Sequence, residues 1–141
     1  MTTGWRIALA ALTLASLTAC KESAAQMPEV PAVLVQHDEL PFGDRELSRI
    51  TRATHAALDL LEPRWGRIKT TVYSIDSKAL PQLKQQLQGG LPEGWRKVDA
   101  AIPAERGELI LYASGTSLFG LLVIPPQSAP VSPVLVLSNK S

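Results

Sequence analysis

The sequence predicts an α+β fold in which two helices pack on a mostly antiparallel sheet of about five strands, in the order α-β-α-β-β-β-β. Three observations lead to this prediction. Two stretches repeat leucine or isoleucine at spacings of three and four, which is typical of helices with one apolar face. Runs rich in β-branched residues and leucine then follow one another toward the C terminus, parted by Pro, Gly and Ser. The links between them, such as PAERG and SGTS, are short enough for antiparallel hairpins.

The first helix is predicted over residues 44–63, where apolar residues recur on one face. Asp44 is expected to cap its start and Pro63 to end it. The stripe that would face the core is Leu47, Ile50, Thr54, Leu58 and Leu61.

A strand and a second helix are predicted next. Apolar and polar side chains alternate in residues 67–76, and several of them are β-branched, so this stretch should form a strand. Ser77 is expected to cap a helix over residues 78–88, which the two glycines at 89–90 would end. The four remaining predicted strands are GWRKVDAAI, GELILYASG, SLFGLLVI and VSPVLVLS.

These last strands are apolar on both faces, although a sheet with one face in water should alternate apolar and polar residues. If both helices cover one face, the second face needs another cover. The segment AVLV at residues 32–35, a second copy of the protein or another partner could supply it. Left uncovered, this face would form an interaction surface. Its residues are Phe119, Leu121, Val123, Val134 and Val136.

The amino-acid composition excludes only a few classes of function. The chain has 141 residues, enough for one domain, and its 45% apolar and 19% charged content is that of a packed protein. A net charge of +1 gives no electrostatic reason to expect nucleic acid as a partner.

The N terminus carries the most specific pattern. A short start with one cation, Arg6, precedes the apolar run IALAALTLASL, which is too short to cross a bilayer as a helix. Leu17-Thr18-Ala19-Cys20 follows, with the only cysteine of the chain. This order resembles the signal peptide and lipobox of bacterial lipoproteins.

The resemblance implies that residues 1–19 are removed, that the Cys20 thiol takes a diacylglyceryl group, and that the new amine is acylated. Lys21 is not the aspartate that retains many lipoproteins in the inner membrane, so the implied location is the outer membrane, facing the periplasm. Residues 20–43 are expected to be the lipidated cysteine and an extended tether, and residues 44–141 a single domain. The body also resembles small envelope lipoproteins of unknown function, a resemblance that brings no active site.

Few residues indicate a metal or a catalytic site. His55 and Asp59 lie one turn apart on the first predicted helix and could supply two metal ligands, as could His37 with its acidic neighbours at 38–39. Zinc usually needs three or four ligands, so no metal or other cofactor is predicted.

A basic face is predicted on the same helix. Its residues are Arg45, Arg49 and Arg52, which could meet anionic lipid headgroups or an acidic partner. A solvated face balanced by nearby acidic residues would show the same pattern.

Two functional hypotheses follow. The first is a non-enzymatic, lipid-anchored envelope module that binds another envelope protein or a second copy of itself. The second is a small periplasmic enzyme or ligand-binding domain, with His55, Asp59 and Tyr112 as its candidate residues.

Overall fold

The computed structural model describes residues 26–125 and 130–139. Its element order confirms the predicted fold class. The elements are α1 (Asp44–Trp65), β1 (Lys69–Asp76), α2 (Leu80–Gly89), β2 (Arg96–Val98), β3 (Glu108–Ser114), β4 (Ser117–Val123) and β5 (Val131–Ser138), with a 3₁₀ turn (Ser77–Ala79) between β1 and α2. The predicted signal peptide and Cys20 lie outside the described residues.

All five strands form one antiparallel sheet in the order β1-β5-β4-β3-β2. The central strand β4 is buried at each of its seven positions. Leu121 of β4, for example, lies between Ile110 of β3 and Val136 of β5. A central strand buried on both sides has no polar face, which accounts for the unbroken apolar run in its sequence.

The ends of α1 differ from those predicted. Gly43 is the N-cap residue and no side chain caps the helix, so Asp44 is the first helical residue instead of the cap. Pro63 lies inside the helix, which continues to Trp65. Gly66 ends it with a φ of 77°, a conformation that glycine adopts without the penalty a Cβ would bring.

The buried face of α1 is narrower than the predicted stripe. It consists of Ile50, Ala53, Ala57 and Leu61. Leu47 and Leu58 pack at the margins of this face and are half-buried. Since the alanines have the smallest side chains on this face, they let the helix backbone approach the sheet closely.

The two helices cover opposite faces of the sheet, and the expectation that both cover the same face is wrong. α1 packs on a layer that contains Leu118 and Leu122. Leu83 and Leu87 of α2 pack on the layer that contains Leu121. Alternate residues of β4 project to opposite sides of the sheet, so each helix meets a different set of them.

An N-terminal segment, residues 26–35, completes the cover on the α2 face. The indole Nε1 of Trp95 donates to the carbonyl of Gln26 at 2.9 Å. Val35 exchanges two backbone hydrogen bonds of 2.9 Å with Ser74 of β1. Trp95 precedes β2, so the segment runs from one edge of the sheet to the other. Leu34 is buried within the core on this face.

Residues 26–35 of the predicted tether therefore pack on the domain, with Leu34 in its core and Met27 and Val33 against that core. The predicted interaction surface is wrong, because this segment and α2 bury its residues. Phe119, Leu121, Val123, Val134 and Val136 are 4%, 0%, 9%, 0% and 8% exposed. The alternative in which residues 32–35 help to cover the second face is the arrangement observed.

Candidate functional site

The domain has two distinct ends. At the hairpin end, which holds the turn at Gly115 and Thr116, the Asn139 amide donates to the carbonyls of Trp65 and Thr116. This fixes the C terminus of α1 at the hairpin end. At the opposite end, Arg49 near the start of α1 donates to the carbonyl of Pro125, beyond the end of β4, at 2.7 Å.

An apolar groove lies at the opposite end, between the start of α2 and the loop of residues 99–107. Its larger part is a cavity of about 530 Å³, and an adjoining cavity of about 350 Å³ lies along α2. Leu80, Glu108 and Val123 line both parts. The larger part is also lined by Ala100, Ala101, Ile102, Ala104 and Leu109. We refer to the two parts together as the apolar groove.

The loop sequence explains why this groove is open. Three of its lining residues are alanines, whose side chains leave space that larger ones would fill. The loop folds tightly because the amides of Arg106 and Gly107 both donate to the carbonyl of Pro103. A Cβ at Gly107 would lie 3.0 Å from the carbonyl oxygen of Val123 and 2.8 Å from Cδ1 of Leu122, so the loop approaches the sheet closely at this glycine.

A strand edge runs beside the groove. β2 pairs only with Leu111–Ala113 of β3, so residues 108–110 of β3 have no partner strand on that side within the described part of the chain. Lys84 and Glu108 form an ion pair of 3.0 Å at the groove, with both side chains more than half exposed. An exposed pair of this kind contributes little stability and opens easily. Concave apolar walls beside strand residues that have no partner strand suit an extended apolar segment of another molecule.

A second, polar cleft of about 340 Å³ lies between α1 and the loop of residues 99–107. It is lined by Arg52, His55 and Asp59 from α1 and by Arg106 from the loop of residues 99–107. All four side chains are exposed. Across residues 26–125 and 130–139 there is no group of three or more His, Cys, Asp or Glu residues that could hold a metal ion.

The sequence candidates for catalysis do not come together. His55 and Asp59 share the polar cleft, as predicted from their spacing. Tyr112 is buried in the core on the α2 face, on the other side of the sheet from α1. His37 lies in the stretch between the N-terminal segment and α1. Its Nε2 is hydrogen-bonded to Oγ of Ser74 at 2.6 Å, which attaches this stretch to β1.

Two residues of the predicted basic face of α1 lie together, since Arg49 and Arg52 line a cavity of about 360 Å³ with Glu105 and Arg106. Arg49 binds the Glu46 carboxylate at 2.8 Å as well as the Pro125 carbonyl, and so connects α1 to the chain beyond β4. Arg45 is exposed, and Arg52 belongs to the polar cleft. All three lie in the half of α1 that is nearest the groove.

Sequence reasoning missed the apolar groove because no motif marks it. The only sequence feature at the groove is the alanine-rich stretch DAAIPAERG, and this pattern is equally typical of a strand followed by a turn.

Comparison of the chain with protein-family models, curated proteins and solved structures gives no match. In the part of the chain that the structure describes, no helix combines the length and apolar character needed to cross a membrane.

Proposed function

We propose that the protein is a lipid-anchored protein of the bacterial cell envelope, whose domain is a non-enzymatic module that binds an extended apolar segment of an envelope protein in the apolar groove. The proposed anchor rests on the motif Leu17-Thr18-Ala19-Cys20, which follows a short apolar run. A diacylglyceryl group and an added acyl chain together would hold the protein stably in a membrane, whereas one chain gives only marginal binding.

The position of the first described residue supports a close attachment. Gln26 lies six positions after Cys20, and its carbonyl is bound by Trp95. Six residues span at most about 20 Å at roughly 3.3 Å per residue. The lipid would therefore hold the domain near the membrane, with its hairpin end closest to the lipid.

The position of the groove supports a binding role. Trp95 lies beside the C-terminal end of β3, while the groove lies beside its N-terminal residues Glu108 and Leu109. The seven residues of β3 span about 23 Å at roughly 3.3 Å per residue. The groove is thus directed away from the proposed anchor, where a second envelope protein could reach it.

Replacing Cys20 by Ser should abolish incorporation of labelled fatty acid, because serine cannot form the thioether to the lipid. Cells expressing the wild type or Cys20→Ser are labelled with radioactive palmitate, and the protein is then isolated. Ser23→Ala is the matched control, since it alters a hydroxyl near the cleavage site and should label as the wild type does. A wild type without label, or a Cys20→Ser variant with full label, would contradict the anchor.

Ala101→Glu should abolish partner binding, because it places a charge inside an apolar groove that the partner would desolvate. Ala101 is exposed, so the domain should remain folded. Ala32→Glu, at an exposed alanine outside the groove, is the control. The measurement is comparison of the proteins that copurify with each form from envelope extracts. A partner that binds wild type and Ala101→Glu equally would contradict the groove as its site.

A further inference from the structure

Five exposed cations gather at the hairpin end. They are Arg64, Arg67, Lys69, Arg96 and Lys97. Lys69 pairs with Ser138 at one edge of the sheet, and Arg96 pairs with Ala113 at the other edge. Ser138 and Ala113 lie opposite the first residues of β4, so both cations belong to the same end of the domain.

These charges are far enough apart to contact an extended anionic surface. The sheet has five strands, which at about 4.8 Å between neighbours places its edges roughly 19 Å apart. Lys69 and Arg96 are therefore too far apart to hold one small anion together. In the described ranges, the ion pairs are those of Arg49 and Lys84, so none of the five cations is neutralised in a salt bridge.

Helix electrostatics explains only part of this cluster. Arg64 and Arg67 lie near the C terminus of α1, where positive charge interacts favourably with the helix dipole. Lys69, Arg96 and Lys97 lie on strands and have no such stabilising role. Glu62 and Glu93 also lie at this end, and the Glu62 carboxylate accepts a hydrogen bond from the Ile68 amide at 3.2 Å.

An aromatic side chain accompanies the cations. Trp65 is half-buried at the end of α1, and the Arg64 guanidinium lies 4.9 Å from the centre of its ring. Tryptophan together with Arg and Lys is typical of the headgroup region of a membrane.

Gln26, the described residue nearest to Cys20 in the chain, lies at this same end. Trp95 fixes Gln26 there, and Cys20 can lie no more than about 20 Å farther along the chain. The predicted basic face around Arg45 lies near the other end of α1, whose 22 residues span about 33 Å at roughly 1.5 Å per residue. A lipid on Cys20 would thus bring the hairpin end to the membrane and keep Arg45 away from it.

We infer that the hairpin end is a docking surface for an anionic membrane, with Lys69, Arg96 and Lys97 in contact with lipid phosphates. The inference rests on the proposed anchor at Cys20 and adds an orientation to it. The lipid on Cys20 and the cations would act at the same end of the molecule, and together they would place the apolar groove on the side away from the membrane.

The test uses the full mature chain, residues 20–141, carrying Cys20→Ser, so that the surface binds without help from a lipid. Binding to vesicles of phosphatidylglycerol and phosphatidylethanolamine is measured by sedimentation and compared with binding to phosphatidylcholine vesicles. Lys69→Gln with Arg96→Gln should weaken binding to the anionic vesicles about 25-fold, since each cation near an anionic surface contributes roughly a factor of five. Circular dichroism verifies that the variants are folded.

Arg45→Gln with Lys78→Gln is the matched control, because it removes the same charge from the opposite end and should change binding less than twofold. Equal losses in the two double variants would overturn the inference, since binding would then follow net charge alone. Absence of a preference for the anionic vesicles would also overturn it, and would favour an acidic protein as the partner of this end. Labelling of Cys20 is a separate readout. If the wild type takes up label but the Cys20→Ser chain does not bind anionic vesicles, the docking surface is contradicted and the anchor still stands.

Discussion

Among the glycines of the described residues, Gly120 has the closest neighbours around the position that a Cβ would occupy. It lies in the middle of β4, opposite Leu111 of β3 and Leu137 of β5. A Cβ built on it would lie 2.6 Å from Cδ2 of Leu111 and would also meet the carbonyl oxygen of Ile110. No rotation of a single flexible side chain relieves a contact with backbone, so this position requires glycine.

Gly120→Ala should therefore lower the free energy of unfolding by about 1–3 kcal/mol, the usual cost of overpacking a core. Gly89→Ala is the matched control, because a Cβ there meets nothing within 4 Å and alanine favours the helix more than glycine does. Urea titration of both variants measures the difference. Equal stabilities of Gly120→Ala and the wild type would show that the strands around Gly120 pack less closely than the structure indicates.

Among the elements, the N-terminal segment differs most from what its sequence suggests. Its two prolines, Pro28 and Pro31, indicate an extended connection. An extended conformation does not prevent burial, and both prolines are buried against the sheet. The segment has one backbone bridge to β1 and lies alongside α2, where the Val33 amide donates to the Gln86 side chain. It therefore contributes to the core without forming a strand of its own.

Leu34→Ala should destabilise the domain by about 2–5 kcal/mol, because it removes a buried leucine from the core on the α2 face. The neighbouring Val35 is 50% exposed, so Val35→Ala should change stability by less than about 0.5 kcal/mol. Urea titration of the mature chain compares the two variants. Similar small losses in both would mean that the segment is a tether after all.

At the scale of the whole molecule, the fold separates two surfaces of different chemistry. Cations and a tryptophan lie at the hairpin end, close to Gln26, while short apolar side chains form the groove at the opposite end. α1 and β3 both extend between the two ends. In the proposed function, one end of the domain faces the membrane and the other presents the binding site.

The sequence by itself determined the order of elements and the need to cover both faces of the sheet. These features depend on patterns between residues that are close in the chain. In α1 the pattern is the three- and four-residue spacing of apolar residues, and in β4 it is an apolar run that leaves no polar face. The sequence also predicted that His55 and Asp59 lie together, because one helical turn separates them.

Only the tertiary structure decided which face each helix covers, that residues 26–35 pack on the sheet, and which surfaces meet at one end. The bond from Trp95 to Gln26 joins residues that are 69 positions apart, and the bond from Asn139 to Trp65 joins residues that are 74 apart. No local period encodes such contacts, because they form once strands pair and side chains fill the space between distant elements. For this reason no sequence motif predicts the apolar groove or the cationic hairpin end, and both are recognised only in the folded structure.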